Sequence, residues 1–376
     1  MRSFRLIAGC ALVLTGLAAC DDSRDTEVVT EPVRWSIAPD PLLTIGAVDG
    51  PPEFVFSRIR AVRLFPDGRV IVADGSSGSL RIYSAGGSYL HEMGGSGDGP
   101  GEFRYLSAVH LAGGDTLLVY DSRALRLTTF LSSGELVGSQ QLRPGDGVPE
   151  LYVGTYGDGS HSFGWIKQSP IAPDRLTADS MRIGRFTSDG NAAGVIARAT
   201  GMHRLGSPVP LSPHLLVGMI GDSVVITNGM EGRVRIVGPT GEAVRTLQLA
   251  GADWTFEEAM RLVEERLEPS EIDRFQRVKG TDGVNSVPEF SELLIDSENL
   301  IWLKLYDPAT DSHWLSRRLT GGEWIVADTG GRQIARVAMP VGFRPMDVRA
   351  DRIAGVVRDE LGVERVRVYA LYRIKS

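Results

Sequence analysis

The sequence predicts an all-β protein, and three observations lead to that fold class. Most of the chain consists of runs of four to eight residues rich in β-branched and aromatic side chains, separated by Gly, Asp and Ser turns. Units of this kind recur along the chain, and helical periodicity is confined to residues 254–278. The 376 residues are 42% hydrophobic and 23% charged, which is typical of a globular protein and excludes a disordered chain.

The first 20 residues have the pattern of an export signal. Arg2 and Arg5 form a positive N-terminal region, and residues 6–17 form an apolar core too short to remain as a membrane-spanning helix. The sequence Leu-Ala-Ala-Cys at residues 17–20 resembles the bacterial lipobox, after which the cysteine is diacylated. We therefore predict a lipoprotein signal at residues 1–20, with Cys20 as the lipidation site. The alternative is an ordinary signal peptide with a cysteine near its cleavage site.

Cysteine usage supports this interpretation. Cys10 and Cys20 are the two cysteines of the chain, so the 356 residues that follow Cys20 can form no disulfide, thiolate metal site or cysteine nucleophile. Residues 21–32 carry five acidic residues and one arginine, which predicts an acidic flexible tether. Asp21 and Asp22 resemble an inner-membrane retention signal of enterobacterial lipoproteins, and the choice between inner and outer membrane stays open.

Two repeat units are clear, one at residues 59–93 and the next at residues 106–140. Each reads as four short strands joined by tight turns, and four looser copies follow. The second strands of the six units end at Asp74, Asp121, Lys167, Asn228, Asp307 and Asp359, at spacings of 47, 46, 61, 79 and 52 residues. Four strands at a base period of roughly 45 to 50 residues are typical of propeller blades. The sequence therefore predicts a six-bladed β-propeller.

A second internal match predicts how the ring closes. Residues 42–54 match residues 89–103: both contain a fourth strand, a Gly-rich crossing and a Glu-Phe pair. The N-terminal strand at 34–46 is thus a fourth strand without a blade, and the last unit, ending at 366–374, lacks one. Pairing the two joins the ends of the ring and removes open edges. We predict a single closed domain over residues 33–376.

The units resemble NHL repeats, and the chain is similar to bacterial lipoproteins described as six-bladed β-propellers. The likeness covers essentially the whole mature chain and depends on Gly99–Phe103 (GPGEF), Val72–Asp74 (VAD) and residues 358–371. It implies the fold and a Gram-negative cell envelope, periplasm-facing or surface-exposed, and it implies no activity. Unit three departs most from the pattern, through Lys167 and the loop at residues 169–179.

One insertion, at residues 254–278, is predicted to be a helical hairpin. Thr255 and Glu258 have capping-box spacing, and Pro269 is expected at the start of a second, shorter helix. Apolar residues recur at helical spacing in the first helix, at Phe256, Met260, Val263 and Leu267. The expected role of this stripe is packing on the propeller. A lid over the axial mouth and a docking surface are the alternatives.

Residues that interrupt the repeat are the candidates for a ligand-binding mouth, because residues shared by every blade more often serve turns and packing. The strands and crossings expected near the axis carry cationic and aromatic side chains, at Arg58, Arg60, Arg104, Tyr105, Trp165, Lys167 and Lys304. Such a lining suits carbohydrate or an anionic ligand.

The most regular polar feature is the end of the second strand, occupied by Asp74, Asp121, Asn228, Asp307 and Asp359. Asp and Asn in such positions accept hydrogen bonds from backbone amides two residues on and stabilise the turn. The alternative is a ring of ligands for Ca²⁺, which prefers six to eight oxygens. Lactonase-like propellers, which resemble this fold, bind calcium with Glu, Asp and several Asn, whereas this chain has four Asn in all.

The charge composition argues against a nucleic-acid partner, because the chain has 40 Lys and Arg, 47 Asp and Glu, and no cluster of basic residues. We predict a lipid-anchored, monomeric, non-enzymatic binding or scaffolding module without a cofactor. Its expected partners are the membrane, through the N-terminal lipid, and an envelope protein, a small molecule or a carbohydrate. The alternative function is a calcium-dependent hydrolase or lactonase with a metal site on the propeller axis.

Overall fold

The computed structural model of the protein describes residues 33–374 apart from 171, 173, 174, 207, 268, 270, 271, 280, 282, 283 and 312–320. The predicted signal, Cys20 and the tether lie outside the described residues. Strands dominate the described residues and form six blades of four strands. The predicted fold class, an all-β six-bladed propeller with few helices, is confirmed. No described helix is long and apolar enough to cross a bilayer.

Each blade is an antiparallel sheet whose strands follow chain order from the axis outwards. Two strands, β1 (Val33–Ile37) and β2 (Leu43–Ile45), precede the first blade. Blade one contains β3 (Ile59–Leu64), β4 (Val70–Asp74), β5 (Ser79–Tyr83) and β6 (Tyr89–Gly94). Blade two contains β7 (Leu106–Leu111), β8 (Thr116–Asp121), β9 (Arg126–Leu131) and β10 (Leu136–Gln141).

The other four blades have the same design. Blade three contains β11 (Leu151–Thr155), β12 (His161–Lys167), β13 (Thr177–Phe186) and β14 (Ala192–Arg204). Blade four contains β15 (Leu216–Ile220), β16 (Ser223–Thr227), β17 (Arg233–Val237) and β18 (Ala243–Gln248). Blade five contains β19 (Phe290–Ile295), β20 (Ile301–Leu305), β21 (Glu323–Ala327) and β22 (Gln333–Ala338), and blade six contains β23 (Phe343–Arg349), β24 (Arg352–Arg358) and β25 (Glu364–Tyr372).

The turns and the core follow from local sequence. Gly68, at φ +88°, closes the β3–β4 hairpin in a conformation that favours glycine. Strand β4 is buried on both faces, whereas β6 alternates between buried and exposed positions, as expected for an outer strand. The apolar faces of neighbouring blades pack on each other, so that Ile71 of blade one and Val109 of blade two share one core cluster.

The six innermost strands form a closed ring, because each contacts the next and β23 contacts β3. We call the end of the ring at which these strands begin the upper face and the opposite end the lower face. Strand β2 pairs antiparallel with β25, Leu43 opposite Val368, and completes blade six. This is the closure that the sequence predicts.

The expected N-terminal strand at 34–46 is in fact two strands. Strand β1 pairs in parallel with β22 of blade five and, at Ser36 and Ile37, antiparallel with β25 of blade six. The break coincides with Pro41, which has no N–H to donate to a ladder. Trp35 packs on Trp302, their ring centroids 5.9 Å apart, and this contact holds β1 on blade five.

Two carboxylates of blade six bind the backbone of β3 in blade one. Glu364 accepts the N–H of Ile59 at 2.6 Å, and Asp347 accepts the N–H of Leu64 at 2.7 Å. Burial raises the pKa of Asp347. Both ends of β3 are therefore tied to blade six by side chains, in addition to the pairing of β2.

The predicted helical hairpin is present as α1 (Phe256–Glu264) and α2 (Ile272–Lys279), and a short α3 (Pro308–Asp311) follows β20. The capping box forms, since Thr255 and Glu258 exchange side-chain to backbone hydrogen bonds at 3.2 Å. The second helix spans Ile272–Lys279, and the predicted start at Pro269 adjoins residues 270 and 271, which lie outside the described residues. The apolar stripe of the first helix packs on the ring together with the second helix, in a cluster of Met260, Val263, Phe275, Leu211 and Tyr306.

Blade three, the least regular unit, has long outer strands that extend above the upper face. Asp179 of β13 binds Arg204 of β14 through both carboxylate oxygens, at 2.9 to 3.0 Å, and only 1% of the Asp179 side chain is exposed. Leu176 and Leu205, beyond these strand ends, pack with Val278 of α2. The extension of blade three and the helical hairpin thus support each other.

Candidate functional site

An axial channel is the candidate site, because it is lined by all six innermost strands. It consists of an upper cavity of about 430 Å³ and a lower cavity of about 420 Å³. Cavities of this size are typical of small-molecule sites. The two cavities share lining residues from every blade, and we call this set the channel waist: Arg63, His110, Leu151, Tyr152, Val217, Leu293, Leu294 and Met346.

Arg63 is fixed at the waist by backbone carbonyls of three blades. Its Nε donates to Val109 O at 3.0 Å, and its Nη1 donates to Val62 O at 3.0 Å and to Met346 O at 2.6 Å. Among the described residues, Arg63 forms no ion pair within 4 Å, and the nearby acidic group is Asp347, which lines the lower cavity and interacts with Arg63 electrostatically. The guanidinium therefore brings a net positive charge to the axis.

His110 is held beside Arg63 against the ring of Tyr152, in an edge-on contact with 4.6 Å between ring centroids. Burial, followed by repulsion from Arg63, lowers the pKa of His110 to about 3. The imidazole is therefore neutral at physiological pH. The hydroxyl of Tyr152 is engaged with Thr155 and His161, so Tyr152 contributes its ring to the waist.

The upper end of the channel carries a polar network. Arg344 Nε lies 3.1 Å from a carboxylate oxygen of Glu292, and His214 Nε2 lies 3.0 Å from Ser291 O. Burial lowers the pKa of His214. The acidic group here is thus already paired with a cation.

The seven residues that the sequence suggests for ligand binding do not form one site. Arg60 lines the upper cavity, stacks on Tyr105 at 4.7 Å and donates to its hydroxyl at 2.6 Å. Arg58 is exposed just before β3, and Arg104 is exposed and paired with Asp98. Tyr105 contacts Arg60 through its ring and lines neither channel cavity.

The other three candidates are turned away from the channel. Lys167 is exposed and lies 3.7 Å from Asp146. Trp165 is 5% exposed in the core between blades two and three, where Gly147 and Gly184 leave room for its indole. Lys304 is 1% exposed, with its Nζ 2.5 Å from Asp311. The expectation that Trp165 and Lys304 help to line an accessible mouth is corrected by their burial.

Sequence reasoning missed Arg63 and His110, although a signal was present. They stand 47 residues apart, which is the spacing between the first two units, so they occupy the same repeat position in neighbouring blades. The repeat changes from a cation to an imidazole at that position, and both side chains face the axis.

Each of the five Asp and Asn residues at the second-strand ends accepts the N–H two residues further on. The bonds run from Ser76 to Asp74, Arg123 to Asp121, Met230 to Asn228, Ala309 to Asp307 and Leu361 to Asp359, at 2.9 to 3.2 Å. These are the hydrogen bonds of Asx turns. Within the described ranges, no three His, Cys, Asp or Glu side chains are grouped so that they could hold a metal ion.

Comparisons with known proteins agree with the geometry. Residues 50–143 match a family model described as a 6-bladed beta-propeller. No curated protein matches the sequence. A member of the DUF4221 family from Bacteroides vulgatus superimposes with a TM-score of 0.53 at 9% identity, covering 92% of this chain and 100% of that one. These similarities support the fold.

Two further solved structures are similar. A Bacteroides fragilis protein named as exported gives a TM-score of 0.51 at 10% identity, over 92% of this chain and 99% of that one. The calcium-binding protein regucalcin from Agrobacterium tumefaciens gives 0.39 at 13% identity, over 91% and 98%. The second score is too low to transfer calcium binding to this chain.

Proposed function

We propose that this protein is a non-enzymatic binding module of the Gram-negative cell envelope, anchored by a lipid on Cys20, that takes a small ligand into its axial channel. The observation that carries the proposal is the channel itself, of ligand size and lined at its waist by residues from six blades, with Arg63 unpaired by any described carboxylate. A rigid ring that presents different side chains from each blade is how this fold acquires specificity.

The sequence of the first 32 residues supports the anchor. The lipobox-like sequence ends at Cys20, and the acidic stretch that follows separates the lipid from the ring. Acyl chains contribute about 0.8 kcal/mol per buried methylene to membrane binding. A Cys20→Ser variant is expected in the soluble fraction of fractionated cells, whereas the wild type is expected with membranes. Equal membrane retention of the two proteins would overturn the anchor.

The alternative, a calcium-dependent hydrolase, has less support in the geometry. The five residues that it requires at the second-strand ends are each engaged in their own turn. Calorimetric titration with Ca²⁺ tests it. We expect no heat of binding in the micromolar range and no shift in melting temperature, and a stoichiometric micromolar site would favour the hydrolase instead.

Uptake of a ligand is tested with an envelope extract. The immobilised Cys20→Ser protein is incubated with a delipidated small-molecule extract of the envelope, washed and eluted, and the eluate is compared by mass spectrometry with that of Val217→Trp. Val217 lies at the waist, so the indole fills the channel while the outer surface stays unchanged. We expect compounds enriched by the first protein and absent from the second. Identical eluates from two folded proteins would refute binding in the channel.

A further inference from the structure

We infer that the channel waist binds an anion that carries an apolar body, in the class of medium-chain or aromatic carboxylates. This inference rests on the proposed function, since it names the ligand class for the same channel. It is carried by the distribution of charge around the axis. At the waist, we call the side formed by blades six, one and two the cationic wall, and the opposite side, to which blades three, four and five contribute mainly apolar side chains, the apolar wall.

The cationic wall contains Arg63, Arg349 and the neutral His110. Arg63 uses Nε and Nη1 for carbonyls, and its Nη2 makes no hydrogen bond to any described residue. Arg349 lines the lower cavity, and its buried Nε has no hydrogen-bond partner in the described part of the chain. The buried Nε–H of Arg349 is costly without a partner, and an anion would give this group and Nη2 of Arg63 charge-assisted hydrogen bonds.

The acidic groups that face the channel are engaged elsewhere. Asp347 accepts the backbone N–H of Leu64, and Glu292 pairs with Arg344. Asp296, at the lower end, accepts the indole N–H of Trp302 at 3.0 Å and pairs with Arg373 at 3.2 Å. Asp347 also interacts electrostatically with Arg63 and Arg349, but one carboxylate offsets only one of the two guanidinium charges, so a net positive charge remains for a ligand.

The opposite wall exposes apolar side chains to the channel. Leu151 of blade three is 40% exposed, and Val217, Leu293 and Leu294 of blades four and five are half-buried around the same waist. Covering these side chains with an apolar body contributes a favourable binding free energy of roughly 25 cal/mol for each Å² of apolar surface removed from water. The anion and the apolar body of one ligand would thus reach opposite walls, as a cavity of about 420 Å³ permits.

Three probes separate the contributions of the charge and of the apolar body to binding: decanoate, decanol and acetate. Each is titrated into the Cys20→Ser protein by calorimetry, below the concentration at which decanoate forms micelles. We expect decanoate to bind at least tenfold more tightly than decanol, which lacks the charge, and than acetate, which lacks the apolar body. Equal affinities for decanoate and decanol would overturn the inference.

Variants locate the site. Arg63→Gln is expected to weaken decanoate by tenfold or more and to leave decanol unchanged, and Arg63→Lys, which keeps the charge, is expected to restore part of the preference. Arg332→Gln, which removes an exposed arginine of a blade-five turn, is the matched control and is expected to behave like the wild type. An unchanged decanoate affinity in folded Arg63→Gln would refute the assignment of Arg63.

A second variant avoids the carbonyl contacts of Arg63, so it tests the site even where Arg63→Gln unfolds. Val217→Asp places a negative charge on the apolar wall and touches none of those contacts, and it is expected to weaken both probes, decanoate more than decanol because the new carboxylate repels the anion. Unchanged binding of both probes by folded Val217→Asp would place them outside the channel. A wild type that enriches an extract compound yet does not prefer decanoate retains the proposed function and loses this ligand class.

Discussion

His110 is expected to make the ring sensitive to acid. The folded state holds the imidazole neutral, because burial and the charge of Arg63 lower its pKa from 6.5 to about 3. In the unfolded chain the imidazole titrates at about 6.5. Between these two values the unfolded chain binds a proton that the folded protein does not, so the stability contributed by His110 is complete above pH 6.5 and is lost as the pH falls towards 3.

The expected magnitude follows from the two pKa values. Each pH unit within this window costs about 1.4 kcal/mol of unfolding free energy per titrating group. Lowering the pH from 6.5 to 5.0 should therefore remove about 2 kcal/mol through His110 alone. His161, whose pKa burial lowers to about 4, adds to the acid slope in the wild type and in any His110 variant alike.

The perturbation is His110→Gln, which removes the titration and keeps a polar side chain at the waist. Urea unfolding is followed by tryptophan fluorescence at pH 7.5, 6.5 and 5.0. We expect the variant to lose about 2 kcal/mol less than the wild type between pH 6.5 and 5.0. Val217→Thr, an uncharged change at the same waist, should keep the wild-type slope. A His110→Gln slope equal to that of the wild type would show that His110 is not held neutral in the fold.

Three further changes test the supports of the ring. Asp179→Asn leaves Arg204 without its buried anion and is expected to cost about 3 to 5 kcal/mol, measured by urea unfolding. Glu364→Ala removes the acceptor of the Ile59 N–H and is expected to cost roughly 1 to 3 kcal/mol and to speed amide exchange at Ile59 more than at other positions. Thr255→Ala removes the capping box and is expected to cost about 1 kcal/mol, seen as a lower melting temperature.

Each of these three predictions can be contradicted by a specific result. Glu265→Gln breaks the exposed pair with Arg261 and is the control for Asp179→Asn, with an expected cost below about 0.5 kcal/mol. Equal costs for the two would mean that Asp179 is no more than a surface charge. Unchanged exchange at Ile59 in Glu364→Ala, or an unchanged melting temperature in Thr255→Ala, would remove the respective hydrogen bond from the explanation of stability.

The repeat and the closure of the ring could be predicted because they depend on residues that are close together in the sequence. Turn residues such as Gly68 fix the hairpins, and period-2 alternation fixes which side of a strand is buried. The match of residues 42–54 to 89–103 required the missing fourth strand to come from the N-terminus. The capping box likewise fixed the start of α1 through residues three apart.

What could not be predicted depends on contacts between distant segments. Strand β1 lies against blade five because Trp35 packs on Trp302, a contact that no local pattern shows. Lys304 is buried because Asp311 folds back onto it through the short helix α3. Trp165 is buried because glycines at 147 and 184 leave space beside the two rings of its indole. From sequence alone, long polar and aromatic side chains are predicted to be exposed when the partners that bury them are unknown.

The double attachment of β1 has a mechanical consequence if the protein is held by its N-terminus, as the proposed lipid on Cys20 requires. A pull on the chain before Val33 first loads β1, which is paired with strands of both blade five and blade six. To move β1, the force must draw Trp35 off Trp302 and out from under the guanidinium of Arg373. Strand β2, which completes blade six, follows β1 in the chain and is loaded only after β1 has moved. The innermost strand β3 is held separately by the hydrogen bond from Leu64 to Asp347. Tension from an anchor is therefore absorbed at the rim before it reaches the channel.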